Sequence, residues 1–307
     1  MLDEPGRRLL SAITKGAAGT LGAAVFFGSR SSGVVTNSAS AYDLMLVCES
    51  PRAFFRAAQA SALLARSPLI LAMADRFLAP TQIRLSGEGL VAKASVVSFA
   101  TLRLATSRDR KDQFLAGRMF QDVHLVWADG ETSSERVAAA IEGARRLTFD
   151  WVGPDLPAAF DARDYLIQVF RTSFRFEVRP EGRGRADALS AVQAERLVPV
   201  FERVLEGLAD EGKLVRLPPR RFRVLESFSR GRRLPRRLFM EWSRVRATLR
   251  WPKHAITFDG WLDYIIRKAE RHSGEVIVLT AMERRLPFIF VWPRVVRFLL
   301  RQRRKST

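Results

Sequence analysis

The stretch VFFGSRSSGVVTNSASAYDLMLV, residues 25–47, sets one apolar run against another across a loop rich in glycine and serine. The first run ends on Gly28-Ser29, and the second opens on a single carboxylate, Asp43. Short apolar runs bounded by turn residues read as buried strands. A Gly-Ser turn lets the backbone approach a phosphate chain, because glycine has no side chain to obstruct the N–H groups. Ser29 adds a hydroxyl donor. An aspartate at the head of the next strand faces the same place and suits a divalent cation, Mg2+ or another, that bridges phosphate oxygens. Two positions before Asp43 stands Ala41, so an Asp-x-Asp pair of metal ligands is reduced to one. The same residues also suit a surface turn followed by a strand-edge aspartate, and the stretch alone leaves both readings open. It is not a Walker A loop, because no Gly-Lys-Ser/Thr follows.

Outward from this stretch the pattern alternates between elements. PGRRLLSAITKGA, with Pro5 near its start, has helical apolar spacing. PRAFFRAAQASALLARS reads as one helix, and TQIRLSGEGLVAKASVVSF as a hairpin around a Gly-Glu-Gly tip, with Lys93 on its second arm. DVHLVWADG is a further strand. From residue 134 the sequence turns helical, in SSERVAAAIEGARRL and in ALSAVQAERLVPVFERVLEGLADEG, the latter interrupted by Pro199. RPEGRGRAD reads as a connection and LPPRRFRVLESFSRGRRLPRRL as a linker.

Composition bounds the class. The chain has 307 residues, 47% hydrophobic content and one cysteine, Cys48, which excludes an internal disulfide and a cysteine-based zinc cluster. Cys48 reads as a small core residue. His124, His254 and His272 are too scattered for metal-ligand spacing. Neither a signal peptide nor a run of about 20 apolar residues for a membrane span is evident. The charge of +19 is uneven: residues 1–200 hold 25 Lys+Arg against 21 Asp+Glu, and residues 201–307 hold 26 against 11. A basic C-terminal region is expected to meet phosphate, on nucleic acid or on anionic lipid. Within it, residues 293–305 are read as separating Val295, Phe298, Leu299 and Leu300 from Arg294, Arg297, Arg301 and Arg304, the pattern of a membrane-surface helix or of a packing helix with solvated arginines.

Four segments in order resemble the mitochondrial-type CTP:phosphatidate cytidylyltransferases, the translocator assembly and maintenance family. The family's YGSG turn is similar to Phe27-Gly28-Ser29, with Arg30 in place of the last glycine. Its (I/L)D(F/L) strand is similar to Tyr42-Asp43-Leu44, and it too has one carboxylate there, as Ala41 leaves here. Its KYGV(I/V)S resembles KASVVS from Lys93 to Ser98, and its AGRLQKPV resembles AGRMFQDV from Ala116 to Val123. A weaker echo, SFRFEVRP, sets Glu177 and Arg179 on the acid and base of its SYxGDxRM. The resemblance covers roughly residues 20–205.

The resemblance implies an α+β fold of the nucleotidyltransferase (polymerase beta-like) type, a mixed sheet with helices over residues 1–130. A mainly helical second domain at 131–215 and the basic region at 216–307 complete the expected plan. It also implies cytidylyl transfer from CTP to phosphatidic acid, giving CDP-diacylglycerol and pyrophosphate. Asp43, Lys93 and Arg118 are then the expected catalytic residues, with Asp43 on the metal. Gly28, Ser29, Arg30 and Gly33 are expected at the nucleotide, and Glu177 and Arg179 as second-domain contacts. Asp122 could supply a missing metal ligand. Each has a plainer alternative: an exposed strand lysine for Lys93, a turn cap for Arg118, an ion pair for Glu177 and Arg179, and a solvated strand end for Asp122. The expected location is peripheral, on the cytoplasmic side of a membrane, held by the C-terminal helix, with no nucleic acid bound. A non-catalytic nucleotide- or RNA-binding protein on the same fold, and transfer to another lipid phosphate, are the competing functions.

Overall fold

The computed structural model describes residues 2–28, 30–31, 41–176, 184–225, 230–263, 266, 270 and 278–285. The fold is α+β, built on a five-stranded mixed sheet of order β3-β4-β2-β1-β5. Helix α1 (Glu4–Gly16) leads into β1 (Leu21–Phe27), and β2 (Tyr42–Cys48) lies antiparallel to it. Between β2 and β3 (Thr81–Gly87) run helices α2 (Pro51–Ala60) and α3 (Pro68–Leu78). Strand β4 (Leu90–Ser98) closes a two-residue hairpin with β3, in which Glu88 and Gly89 both have positive φ, at 52° and 72°, as a type I′ turn requires. Strand β4 then pairs in parallel with β2, a connection that needs the long crossover through α2, α3 and β3. Strand β5 (His124–Ala128) takes the other edge, antiparallel to β1.

Both faces of the sheet are covered, so β1 and β2 read as continuous apolar runs rather than alternating ones. Tyr42, Leu44, Leu46 and Cys48 pack with Leu9 and Ile13 of α1 and Phe54 and Phe55 of α2. Met45 and Val47 face the other way, into a core that continues through α4 (Phe99–Ala105), α5 (Ala116–Met119), α6 (Gly130–Val152), α7 (Ala162–Phe176) and α8 (Gly184–Asp210). Cys48 is buried, its thiol pushed up to about 12 by burial and by the nearby Asp75 and Glu49 carboxylates.

Three sequence expectations are corrected. The helix expected across residues 51–67 stops at Ala60, where Ala62 takes φ of 58° and breaks the spiral, and α3 begins at Pro68. Helix α8 runs through Pro199, because Leu197, Phe201 and Leu205 are buried on either side and packing outweighs one lost backbone bond. The arginine-rich stretch at 217–238, expected as a linker, forms regular elements over its described residues. Strands β6 (Leu214–Leu217) and β7 (Arg221–Val224) form a hairpin whose Phe222 is buried and bridged to Phe160, and helix α9 spans Arg230–Thr257.

Helix α9 returns to the sheet and is fastened there by charge. Asp112, buried in the loop after α4, accepts from Arg246 Nε at 2.7 Å, Arg250 Nη2 at 3.0 Å and its neighbour Phe114 N at 3.0 Å. Burial alone would raise its pKa, but Arg250, Arg246 and the amide hold it below the usual carboxylate range. Further along, Lys253 Nζ donates to the carbonyls of Leu78 and Pro80 and to Thr81 Oγ1, and Thr257 Oγ1 to the Gln82 carbonyl at 2.7 Å.

Candidate active site

The turn after β1 is built around one close approach. Gly28 has φ of 90°, and a Cβ there would stand 2.5 Å from Asp43 Oδ2. Glycine is therefore required twice, by the backbone and by the carboxylate that leans over it. Asp43 is paired across the strands with Phe27 and shares a sheet face with Met45 and Val47, opposite to Tyr42 and Leu44.

The same face carries a charged row. In parallel register Asp43 lies beside Lys93, and in antiparallel register Lys93 lies beside Arg84. Residues opposite one another on neighbouring strands project to one face with backbones about 4.8 Å apart, so Asp43, Lys93 and Arg84 share that face. The row ends under the chain that leaves α9, where Gly260 has φ of 66° and an added Cβ would come within 3.1 Å of Arg84 Nη1.

Arg118, on α5, donates from Nη1 to the Phe114 carbonyl at 2.7 Å and lies over the Phe114 ring at 3.7 Å. Its charge acts on His254 of α9 together with that of Lys93, so helix and row share one neighbourhood. The structure thus sets Asp43 against Gly28 and in register with Lys93, while Arg118 contacts Phe114. Arg30 is placed elsewhere: it lies over the Tyr42 ring at 4.1 Å and pairs with Asp3 at 3.4 Å, on the side of the sheet away from Asp43. Ser29, Gly33, Glu177, Arg179 and the 293–305 segment lie outside the described residues.

Asp122 is not a solvated strand end. It is buried, accepts from Arg196 Nη1 at 2.7 Å, and its backbone N donates to Gln193 Oε1 at 2.9 Å. Among the described residues no three His, Cys, Asp or Glu side chains gather as a metal cage. Among the described residues Asp43 would supply one carboxylate ligand to a divalent ion beside the Gly28 turn. A cavity of about 300 Å3 lined by Ser107, Arg108, Arg146, Asp150, Glu211 and Lys213 involves none of these residues.

Sequence reasoning missed Arg84 and His254. Arg84 had a signal, since a two-residue hairpin fixes it opposite Lys93. His254 had none, because nothing local ties α9 to β3. No protein-family model matches the chain, and no curated protein does.

Proposed function

We propose that this chain transfers a nucleotidyl group from a nucleoside triphosphate to a lipid phosphate at a membrane surface, with CTP and phosphatidic acid as the pair. The observation that carries the reading is the in-register Asp43–Lys93 pair beside the Gly28 turn. A glycine at position 28 presents its backbone to a ligand without a side chain of its own. Lys93 and Arg118 offset the charge of the phosphates, Lys93 as a compact point charge and Arg118 through a planar fork. Asp43 would hold the divalent ion, whose chemistry is to neutralise negative charge on the phosphate oxygens.

In the proposed reaction an oxygen of the lipid phosphate attacks the α-phosphorus of CTP. That P–O bond forms as the bond to the β-phosphate oxygen breaks, and pyrophosphate leaves. The attacking group is already an anion at neutral pH, so the site needs no general base, and catalysis reduces to positioning and charge compensation.

A second feature supports a lipid substrate. On α9, Leu234, Leu238, Trp242, Val245, Leu249 and Ile256 are 46–63% exposed. At helical spacing these six fall within an arc of about 80°. At helical spacing Arg237 and Arg244 flank this arc, which favours an anionic lipid surface as the occupant of this face. No described helix is long and apolar enough to cross a membrane.

Radiolabelled CTP, ATP, GTP and UTP, each with phosphatidic acid vesicles and Mg2+, test the reading. Labelled CDP-diacylglycerol from CTP is the expected product. Absence of product with every nucleotide, together with tight RNA binding, would replace the reading with a non-catalytic one.

A further inference from the structure

Helix α9 brings to the charged row a residue that the proposed reaction has not yet used. Arg118 and Arg250 lie over the Phe114 ring, 3.7 and 4.3 Å from its centre, and His254 follows Arg250 by four residues, one helical turn on. Its neighbour Lys253 and the next-turn Thr257 are hydrogen-bonded to β3 and the turn before it, which fixes this part of α9 against the sheet. His254 Nδ1 is buried and has no hydrogen-bond partner among the described residues. Buried polar atoms are nearly always paired, so one left open beside a row of charges points to a partner that comes with a ligand. Burial, then the charges of Lys93, Lys253, Arg118 and Arg250, push the imidazole well below its usual pKa and keep it neutral. In its Nδ1–H form a neutral imidazole donates one hydrogen bond without adding charge.

We propose that His254 donates from Nδ1 to a phosphate oxygen of the substrate bound at the Asp43–Lys93 row, so that α9 supplies one wall of the site. This deepens the reading above and rests on it. The nucleotide and the lipid acceptor both present such an oxygen, and two measurements separate them: MgCTP affinity by calorimetry, and KM for a short-chain soluble phosphatidic acid, both on the full chain. His254→Leu keeps the bulk and removes the donor, and is expected to weaken one of these constants by about tenfold or more. His254→Asn sets an amide N–H2 near the place of Nδ1 and is expected to stay within about threefold of wild type. His254→Gln carries its N–H2 one carbon further out and is expected to lose binding as the leucine variant does. The constant that moves identifies the phosphate. If the leucine variant fails to fold, the contrast between Asn and Gln decides. Wild-type values for both constants in His254→Leu, or equal behaviour of Asn and Gln, would overturn the inference while the wild-type enzyme still turns over. A wild-type chain that binds no MgCTP and makes no product would sink the functional reading itself, and this inference with it.

Discussion

A methyl group at position 28 would stand 2.5 Å from Asp43 Oδ2, on a backbone whose φ of 90° already disfavours any side chain. Gly28→Ala therefore has to move the carboxylate or the turn, at about 1–3 kcal/mol of backbone strain. Asp43→Asn keeps the shape and removes only the charge. The two variants separate folding from chemistry: Gly28→Ala is expected to lower both the melting temperature and turnover, while Asp43→Asn abolishes transfer with an unchanged melting temperature. Calorimetry beside the CTP assay reads both, and near wild-type turnover in Asp43→Asn would remove Asp43 from the proposed metal role. This pair was legible in the sequence because the glycine turn and the carboxylate open and close one loop. The neighbours of Arg30 were not, since Asp3 lies 27 positions away and nothing local announces that it caps α1 and accepts from Tyr42 as well.

At the scale of elements, the hairpin and both central strands were legible because apolar period and turn chemistry are local signals. The stretch at 217–238 was misread because its arginines look solvated, yet their partners are distant in sequence. Arg221 reaches the Ala159 carbonyl and Asp164, and Arg236 the Trp151 carbonyl and Asp155. Helix α9 depends on the same device at Asp112. Asp112→Asn leaves Arg250, which is 2% exposed, with less compensation, and breaking such a buried pair costs about 3–5 kcal/mol. Urea unfolding is expected to show a loss of that order, and a change below about 1 kcal/mol would mean that the pair does not fasten α9. Lys253 makes the attachment depend on pH. Burial lowers its pKa from 10.5 to about 7. The unfolded chain keeps that proton up to the ordinary lysine range, so between about 7 and 10.5 the unfolded state binds more protons and stability rises with pH. The melting temperature of the wild type is expected to climb across this window, and that of Lys253→Met to climb less. Parallel curves would show that Lys253 keeps an ordinary pKa in the folded protein.

Over the whole molecule, positive charge concentrates in the C-terminal third of the sequence, and exposed apolar surface gathers on α3 and α9. The first 200 residues are nearly balanced, whereas residues 201–307 hold 26 basic residues against 11 acidic ones. Six large apolar side chains on α9 and four on α3, Leu69, Ile70, Met73 and Phe77, remain exposed on two helices that touch. Scattered exposed leucines are ordinary, but a stripe of this length on a basic helix is not. An RNA-binding groove would interleave arginines with stacking aromatics, whereas α9 keeps its aliphatic residues and Trp242 on one arc and turns Arg246 and Arg250 inward to Asp112. The stripe therefore suits the boundary between headgroups and acyl chains, where each well-buried side chain contributes about 1.5–3 kcal/mol and neighbouring arginines add a part that salt weakens. The double variant Leu238→Asp/Trp242→Asp changes only exposed positions, so its melting temperature should stay close to wild type. In flotation with vesicles containing anionic lipid it is expected to remain at the bottom while the wild type rises, and to lose activity on bilayer phosphatidic acid far more than on the short-chain soluble form. High salt should weaken wild-type flotation without abolishing it, because the apolar part persists. If the double variant floats as well as the wild type, the membrane contact does not run through α9, and residues 293–305 become the segment to truncate next.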